Sequence, residues 1–171
     1  MLGRNFFRPR FDRAFRSVRS LPGKFAIFRR KRYIPSVTDH ALPHDFPIGI
    51  DPADIDFMGH VNNASYLKWV QEAVLNHWQK IAPADAVASL LWVALKHEIT
   101  YRKPTFLDDE VIATVLLEKV QGARAFYQTV IHRGEEVLAE VKSSWCCIDA
   151  ETLRPARLAS SVIERFFPKG E

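Results

Sequence analysis

The chain has 171 residues, 47% of them hydrophobic and 26% charged, which suits one globular domain and excludes a disordered, collagen-like or low-complexity polymer. No run approaches the roughly 20 apolar residues of a membrane-spanning helix. The net charge of +4 divides unevenly: residues 1–35 hold eleven Lys/Arg against one acid, Asp12, a net of +10, and residues 36–171 hold thirteen against nineteen acids, a net of −6.

In chain order, the basic arm over 1–35 comes first. Phe7, Phe11, Phe15 and Val18 form one apolar stripe at helical spacing, with Arg8, Arg10, Arg13, Arg16 and Arg19 largely off it. Pro22-Gly23 ends the pattern, and Arg29-Arg30-Lys31-Arg32 follows. Such a segment suits an anionic membrane surface, an organelle transit peptide, nucleic-acid phosphates or a plain solvated extension. It lacks the apolar h-region of a secretory signal. An acidic body argues against a general nucleic-acid binder.

Pro35, Pro43 and Pro47 mark 36–45 as a linker, and the body is expected over 46–168. Phe46–Ile50 reads as a first strand and 51–61 as a turn-rich loop. Leu67, Val70, Val74, Leu75 and Trp78 sit at helical spacing, so one long helix is predicted from Asn62 to Lys80, stopped at Ala82-Pro83. Strands follow at Leu90–Lys103, Glu110–Val120, Ala125–Arg133 and Val137–Asp149, with turns at Gly122 and Gly134. A short helix is predicted near Ser161–Phe167. The order β, long helix, then a meander of four hairpin-linked strands predicts an α+β body with one antiparallel sheet wrapped on one helix. Trp69, Trp92, Phe106 and Phe126 read as core residues. The adjacent Cys146 and Cys147 point to opposite faces of their strand, so a disulfide between them is not expected; one is read as buried and the other outward.

The densest polar segment runs from Asp54 to Tyr66, between the first strand and the long helix. A loop feeding a helix N-terminus gathers unpaired backbone N–H groups, which favour an anion or a carbonyl oxygen becoming one. Gly59 permits close approach of a ligand or backbone. Asp56 beside such a point can activate water as a general base or attack a carbonyl itself. His60, Asn62 and Asn63 can orient water or hold Asp56. Plainer roles also exist: Asp54 or Asp56 as turn residues, and Asn62 or Asn63 as a helix N-cap. Asp54, Asp56 and His60 have no second cluster at metal-ligand spacing, so no metal is expected.

The string Asp54-Ile-Asp56-Phe-Met-Gly59-His-Val-Asn-Asn-Ala-Ser-Tyr66 resembles the D-x-D-x-x-G-H-V-N-N-x-x-Y signature of hotdog-fold thioesterases, closest to the 4-hydroxybenzoyl-CoA thioesterase-like and plant acyl-carrier-protein thioesterase branches. The likeness continues through Ile99–Glu110 and Ile148–Ala156, and covers about 46–158. It implies a single hotdog domain and an acyl-CoA or acyl-carrier-protein thioesterase of fatty acid metabolism, working without cofactor.

The resemblance puts the catalytic carboxylate on Asp56, with His60 and Asn63 positioning water or the acyl group. Its oxyanion donor, a backbone N–H at the start of the hotdog helix, falls near Asn62 or Asn63, with Gly59 and Val61 in the same backbone site. Tyr66 and Phe57 are expected to wall the substrate pocket. Arg102 and Lys103, with Lys96 and Arg124, are the rim cations for CoA phosphates or an acidic carrier. Family sites form between subunits, so a homodimer or homotetramer is expected. The alternatives are an acyl-thioester dehydratase or hydratase, and a non-catalytic acyl-binding or membrane-associated adaptor. The expected location is cytoplasmic with contact to an anionic membrane surface, or an organelle reached through the arm.

Overall fold

The computed structural model describes residues 41–168. The arm read over 1–35, with its Phe/Arg stripe and basic cluster, and linker residues 36–40 lie outside the described residues.

Five strands form one antiparallel sheet: β1 (His44–Ile48), β2 (Leu90–Tyr101), β3 (Val111–Gln121), β4 (Arg124–Arg133) and β5 (Glu136–Asp149). Their spatial order is β1-β3-β4-β5-β2. The helices are α1 (Asn63–Ile81), α2 (Ala84–Ser89) and α3 (Ser160–Phe166). No helix among the described residues is long and apolar enough to cross a membrane.

Strand β1 begins two residues ahead of the expected Phe46. It pairs with β3 from His44↔Val115 to Ile48↔Val111 and has no other strand partner among the described residues. An edge strand tolerates Pro47, whose missing N–H would break a ladder in a central strand.

The expected four-strand meander holds only for β3, β4 and β5, which follow one another through turns at Gly122 (φ 62°) and Gly134 (φ 57°). Strand β2 instead lies at the opposite edge, on β5, with Leu90↔Asp149 and Tyr101↔Ala139. Residues 102–110 therefore cross from one side of the sheet to the other, too long a link to be a tight hairpin.

Helix α1 packs Tyr66, Trp69, Val70, Ala73, Val74, His77 and Trp78 into the core. Against them stand the inward residues of the sheet, among them Ala113, Val115, Tyr127, Val141 and Trp145. Of the expected stripe, Val70, Val74 and Trp78 are buried as read, but Leu67 and Leu75 are exposed, and Tyr66, Trp69 and His77 lie inside in their place. Large rings carry more burial area than leucines and decide which face turns inward. Helix α2 was not anticipated; Pro83 starts it and Ala86 anchors it in the core. Trp69 joins the core as read and Trp92, partly buried, packs against it, but Phe106 is exposed. Phe126 lies partly buried outside that core, where the Lys119 ammonium sits 4.9 Å from its ring. Cys147 is buried and Cys146 half-buried, both free thiols.

Three of the ladders carry an extra residue; the one between β3 and β4 falls between Leu117 and Lys119. In β2 the register shifts between Ala94 and Lys96, so Leu95 is an extra residue opposite β5. Where β4 meets β5, the shift at Ile131/His132 leaves Leu138 as the extra residue.

Candidate active site

The loop 51–62 is built by its own acids. Asp51 caps a single 3-10 turn (Pro52–Asp54), accepting from the Ala53 N–H at 2.8 Å, and Asp54 Oδ2 accepts from the Asp51 N–H at 3.0 Å. Asp54 then clamps loop to helix: its Oδ1 accepts from the Ser65 hydroxyl at 2.9 Å and its carbonyl from the Asn62 N–H at 2.7 Å. Asp56 closes the next turn. Its N–H donates to the His60 carbonyl at 2.8 Å, and its carbonyl accepts from the Gly59 N–H at 3.0 Å. That turn needs Gly59 at φ 79°, a left-handed conformation that costs a residue with a Cβ about 1 kcal/mol or more.

The Asp56 carboxylate is half engaged. Oδ1 accepts from the Met58 N–H at 2.8 Å and from the His60 N–H at 3.4 Å. No donor among the described residues meets Oδ2. One oxygen is thus fixed by the backbone while the other is open for chemistry.

Accounting for N–H groups narrows the expected anion donors. Gly59 donates to Asp56, Val61 to the Thr105 carbonyl at 2.8 Å, and Asn62 to Asp54. The Ala64 N–H is taken by the Asn62 side chain at 2.9 Å, so Asn62 is the N-cap. Among the described residues, nothing accepts the Asn63 N–H, the first of α1. The loop uses its own donors to hold its turns, and the helix start leaves one over.

The facing wall is the end of β2 and the residues after it. Both the Arg102 and Lys103 N–H groups donate to the carbonyl of the extra residue Leu138, at 2.8 and 3.2 Å. Thr105, fully buried, receives Val61 on its carbonyl and faces the Tyr66 hydroxyl across 2.7 Å. The Tyr101 hydroxyl donates to the Asn63 carbonyl at 2.9 Å.

Between these walls lies a cleft of about 240 Å³. On the loop and helix side it is lined by Asp56, Met58, His60, Val61, Asn63 and Tyr66, and across from them by Tyr101, Arg102, Lys103 and Pro104. Arg102 is ion-paired to Glu140 at 2.6 Å, and Lys103 approaches Glu136 at 3.7 Å, a carboxylate also held by Arg133. The cations at the mouth therefore carry local counter-charges.

The cleft brings together Asp56, His60, Val61, Asn63, Tyr66, Arg102 and Lys103 of the expected site residues. Gly59 and Asn62 support it from behind. Phe57 does not line it and stands 96% exposed. Lys96 pairs with Glu98 on the exposed strand surface. Arg124 stands opposite Cys146, seven residues along β5 from the partner of Tyr101, or about 23 Å at strand rise. Among the described residues there is no cluster of three or more His, Cys, Asp or Glu arranged to hold a metal.

Met58, Tyr101, Pro104 and Thr105 were not anticipated in or behind the site. Tyr101 and Pro104 sit in the stretch that carries the family likeness, but nothing in their spacing announces a cleft. His60 stands edge-on to the exposed Phe106, ring centroids 5.1 Å apart.

Residues 50–166 match the model of the thioesterase-like superfamily. The chain is 28% identical over 118 residues to the long-chain acyl-CoA thioesterase FadM of Escherichia coli strain K12, covering 65% of this chain and 87% of that one. Its structure is similar to that of a thioesterase from Thermus thermophilus solved with coenzyme A and zinc (TM-score 0.62, 25% identity, 71% of this chain and 90% of that one). It is also similar to a probable thioesterase from Bartonella henselae (TM-score 0.61, 29% identity, 70% and 99%).

Proposed function

The chain belongs to the thioesterase-like superfamily and is a thioester hydrolase of the hotdog fold, and on that premise we propose an acyl-CoA thioesterase in which Asp56 is the catalytic carboxylate and the Asn63 N–H the oxyanion donor. One observation carries this reading: a carboxylate with one oxygen tied and one open shares a cleft with the Asn63 N–H at the helix start, which no acceptor among the described residues takes.

In the hydrolysis, Asp56 Oδ2 takes a proton from water as the water oxygen bonds to the acyl carbon. The charge on the carbonyl oxygen meets the Asn63 N–H, backed by the positive end of the 19-residue α1. The C–S bond then breaks and the thiolate takes the proton held by Asp56. The same geometry serves a second route, in which Oδ2 itself bonds to the acyl carbon, the C–S bond breaks to release the thiolate, and water cleaves the resulting anhydride, returning a proton to the thiolate. Label found in Asp56 after turnover in ¹⁸O-water marks the second route, since the first leaves both carboxylate oxygens in place. His60 and the Asn63 side chain orient the water, and Tyr66 walls the acyl site.

FadM acts on long-chain acyl-CoA, and the Thermus thermophilus thioesterase was solved with coenzyme A. Both favour CoA as the carrier here, with Arg102 and Lys103 meeting its phosphates and fatty acid metabolism as the setting.

The active unit is a homo-oligomer. Strand β2 has one edge without a strand partner among the described residues and shows Leu91, Val93 and Leu95 at 46, 45 and 50% exposure. Pairing with a second copy covers that edge. The domain plan is the arm over 1–35, the linker over 36–45 and the catalytic body over 46–168. The arm serves as an address or membrane-surface contact; removing it spares hydrolysis of a soluble substrate and lowers binding to anionic vesicles.

The decisive test is thiol release from acyl-CoAs of increasing chain length. Turnover by the wild type that is lost in Asp56→Asn, at an unchanged unfolding midpoint, supports the assignment. Wild-type turnover by Asp56→Asn removes the carboxylate from the mechanism.

A further inference from the structure

We propose that Tyr101 is a positioning residue for the hydrolysis, its hydroxyl holding the start of α1 where the Asn63 N–H meets the acyl carbonyl; this rests on the assignment of Asp56 and Asn63 above.

The tie is direct. Tyr101 is the last residue of β2 and lines the cleft, and its hydroxyl donates to the carbonyl of Asn63 at 2.9 Å. The carbonyl it holds and the N–H left without an acceptor flank the same Cα. Holding one restricts the direction of the other. Its ring stands edge-on to Tyr66, centroids 5.1 Å apart, and Tyr66 is anchored in turn to Thr105. The Asp56 carboxylate is fixed through the Met58 and His60 N–H groups. Tyr101 does not touch it and is the link from the end of β2 to the helix start that carries the donor. Burial pushes the Tyr101 phenol above its ordinary range, so it remains a donor at neutral pH.

The backbone is shaped for this placement. Trp92 packs on Trp78 of α1 and Tyr101 packs on Tyr66 of α1, so both face the helix. They are nine positions apart, and an odd separation on an unbroken strand sends two side chains to opposite faces. The extra residue Leu95 between them, its own side chain exposed, restores the phase. The bulge is what turns the end of β2 toward the site, a known use of bulges beside active sites.

The test is steady-state hydrolysis of an acyl-CoA by the full chain carrying Tyr101→Phe, which keeps the ring against Tyr66 and removes only the hydroxyl. The expected result is a fall in kcat of about tenfold, less than the loss of an oxyanion donor outright. KM and the unfolding midpoint are expected to stay near wild type. Unchanged kcat overturns the proposal. So does a kcat loss that merely tracks a lowered unfolding midpoint, or a rise in KM at constant kcat. Asp56→Asn, assayed beside it, keeps the two readings apart. An inactive Asp56→Asn with a wild-type Tyr101→Phe defeats only the positioning role, and an active Asp56→Asn defeats the reading on which it rests.

Discussion

The hydroxyl groups of Tyr66 and Thr105 lie 2.7 Å apart, joining α1 to the segment after β2 across 39 positions of sequence. Both residues are buried. Tyr66→Phe removes one partner and leaves the Thr105 hydroxyl without the other, at a cost of about 1–2 kcal/mol. Urea unfolding is expected to show this as a lowered midpoint at constant slope, and an unchanged midpoint would sink the claim.

The Asn63 N–H can be deleted without deleting the helix. Proline is accepted at the first helical position, where its missing N–H has no intrahelical role. The residue before it must be extended, and Asn62 already is, at φ −60° and ψ 137°. Asn63→Pro is therefore expected to keep the fold and lower kcat by about 10²–10³-fold, the scale of a lost oxyanion donor. Asn63→Ala retains the N–H and should lose far less. Equal losses in the two would move the role from backbone to side chain.

Much of this was legible in the chain and some was not. The order of elements follows from period-2 and period-3.6 patterns, and the cleft loop from the density of Asp, Gly and Asn between a strand and a helix. Which N–H stays free was not legible, because it depends on three-dimensional accounting. Val61 is spent on Thr105, 44 positions away, and Asn62 on Asp54. The place of β2 was hidden too, since strands in succession read as a meander unless something marks the 102–110 crossing. Tyr101 was missed for a local reason: strict alternation from Trp92 points it away from the helix.

Histidine 77 makes stability depend on pH. It is buried on α1 between Tyr127 and Phe166, its ring stacked on His44 at 5.3 Å, with Nδ1 unpartnered among the described residues. Burial, then the nearby His44, pushes its pKa down from 6.5 to about 4. The native state prefers His77 neutral, so the unfolded chain binds more protons between these values. Its contribution is complete above pH 6.5 and is lost as pH falls toward 4, on the order of 3 kcal/mol. His77→Phe keeps an aromatic ring and cannot titrate. Its unfolding midpoint should fall less steeply than that of the wild type between pH 7 and pH 4.5, and parallel curves would refute the assignment.

With Arg102 meeting CoA phosphates as proposed, its partner Glu140 becomes a competitor for the same guanidinium. The pair is too exposed to add more than about 1 kcal/mol to stability, but it occupies a cation at the cleft mouth. Glu140→Gln is expected to lower KM for acyl-CoA severalfold. The same acyl group on N-acetylcysteamine, which lacks phosphates, should show no change. An equal effect on both substrates would place Arg102 outside CoA recognition.

Leu95 also matters to anyone who aligns or edits this chain. A relative or variant lacking one residue between Ala94 and Lys96 can keep every other residue and still present a different molecule from that point onward. His97, Ile99 and Tyr101 would exchange places with the residues now facing outward, as a shifted reading frame alters everything downstream of it. The natural place for a one-residue gap in comparisons is therefore this position. In library design, length at residues 94–96 is a stricter constraint than the identity of the side chain found there.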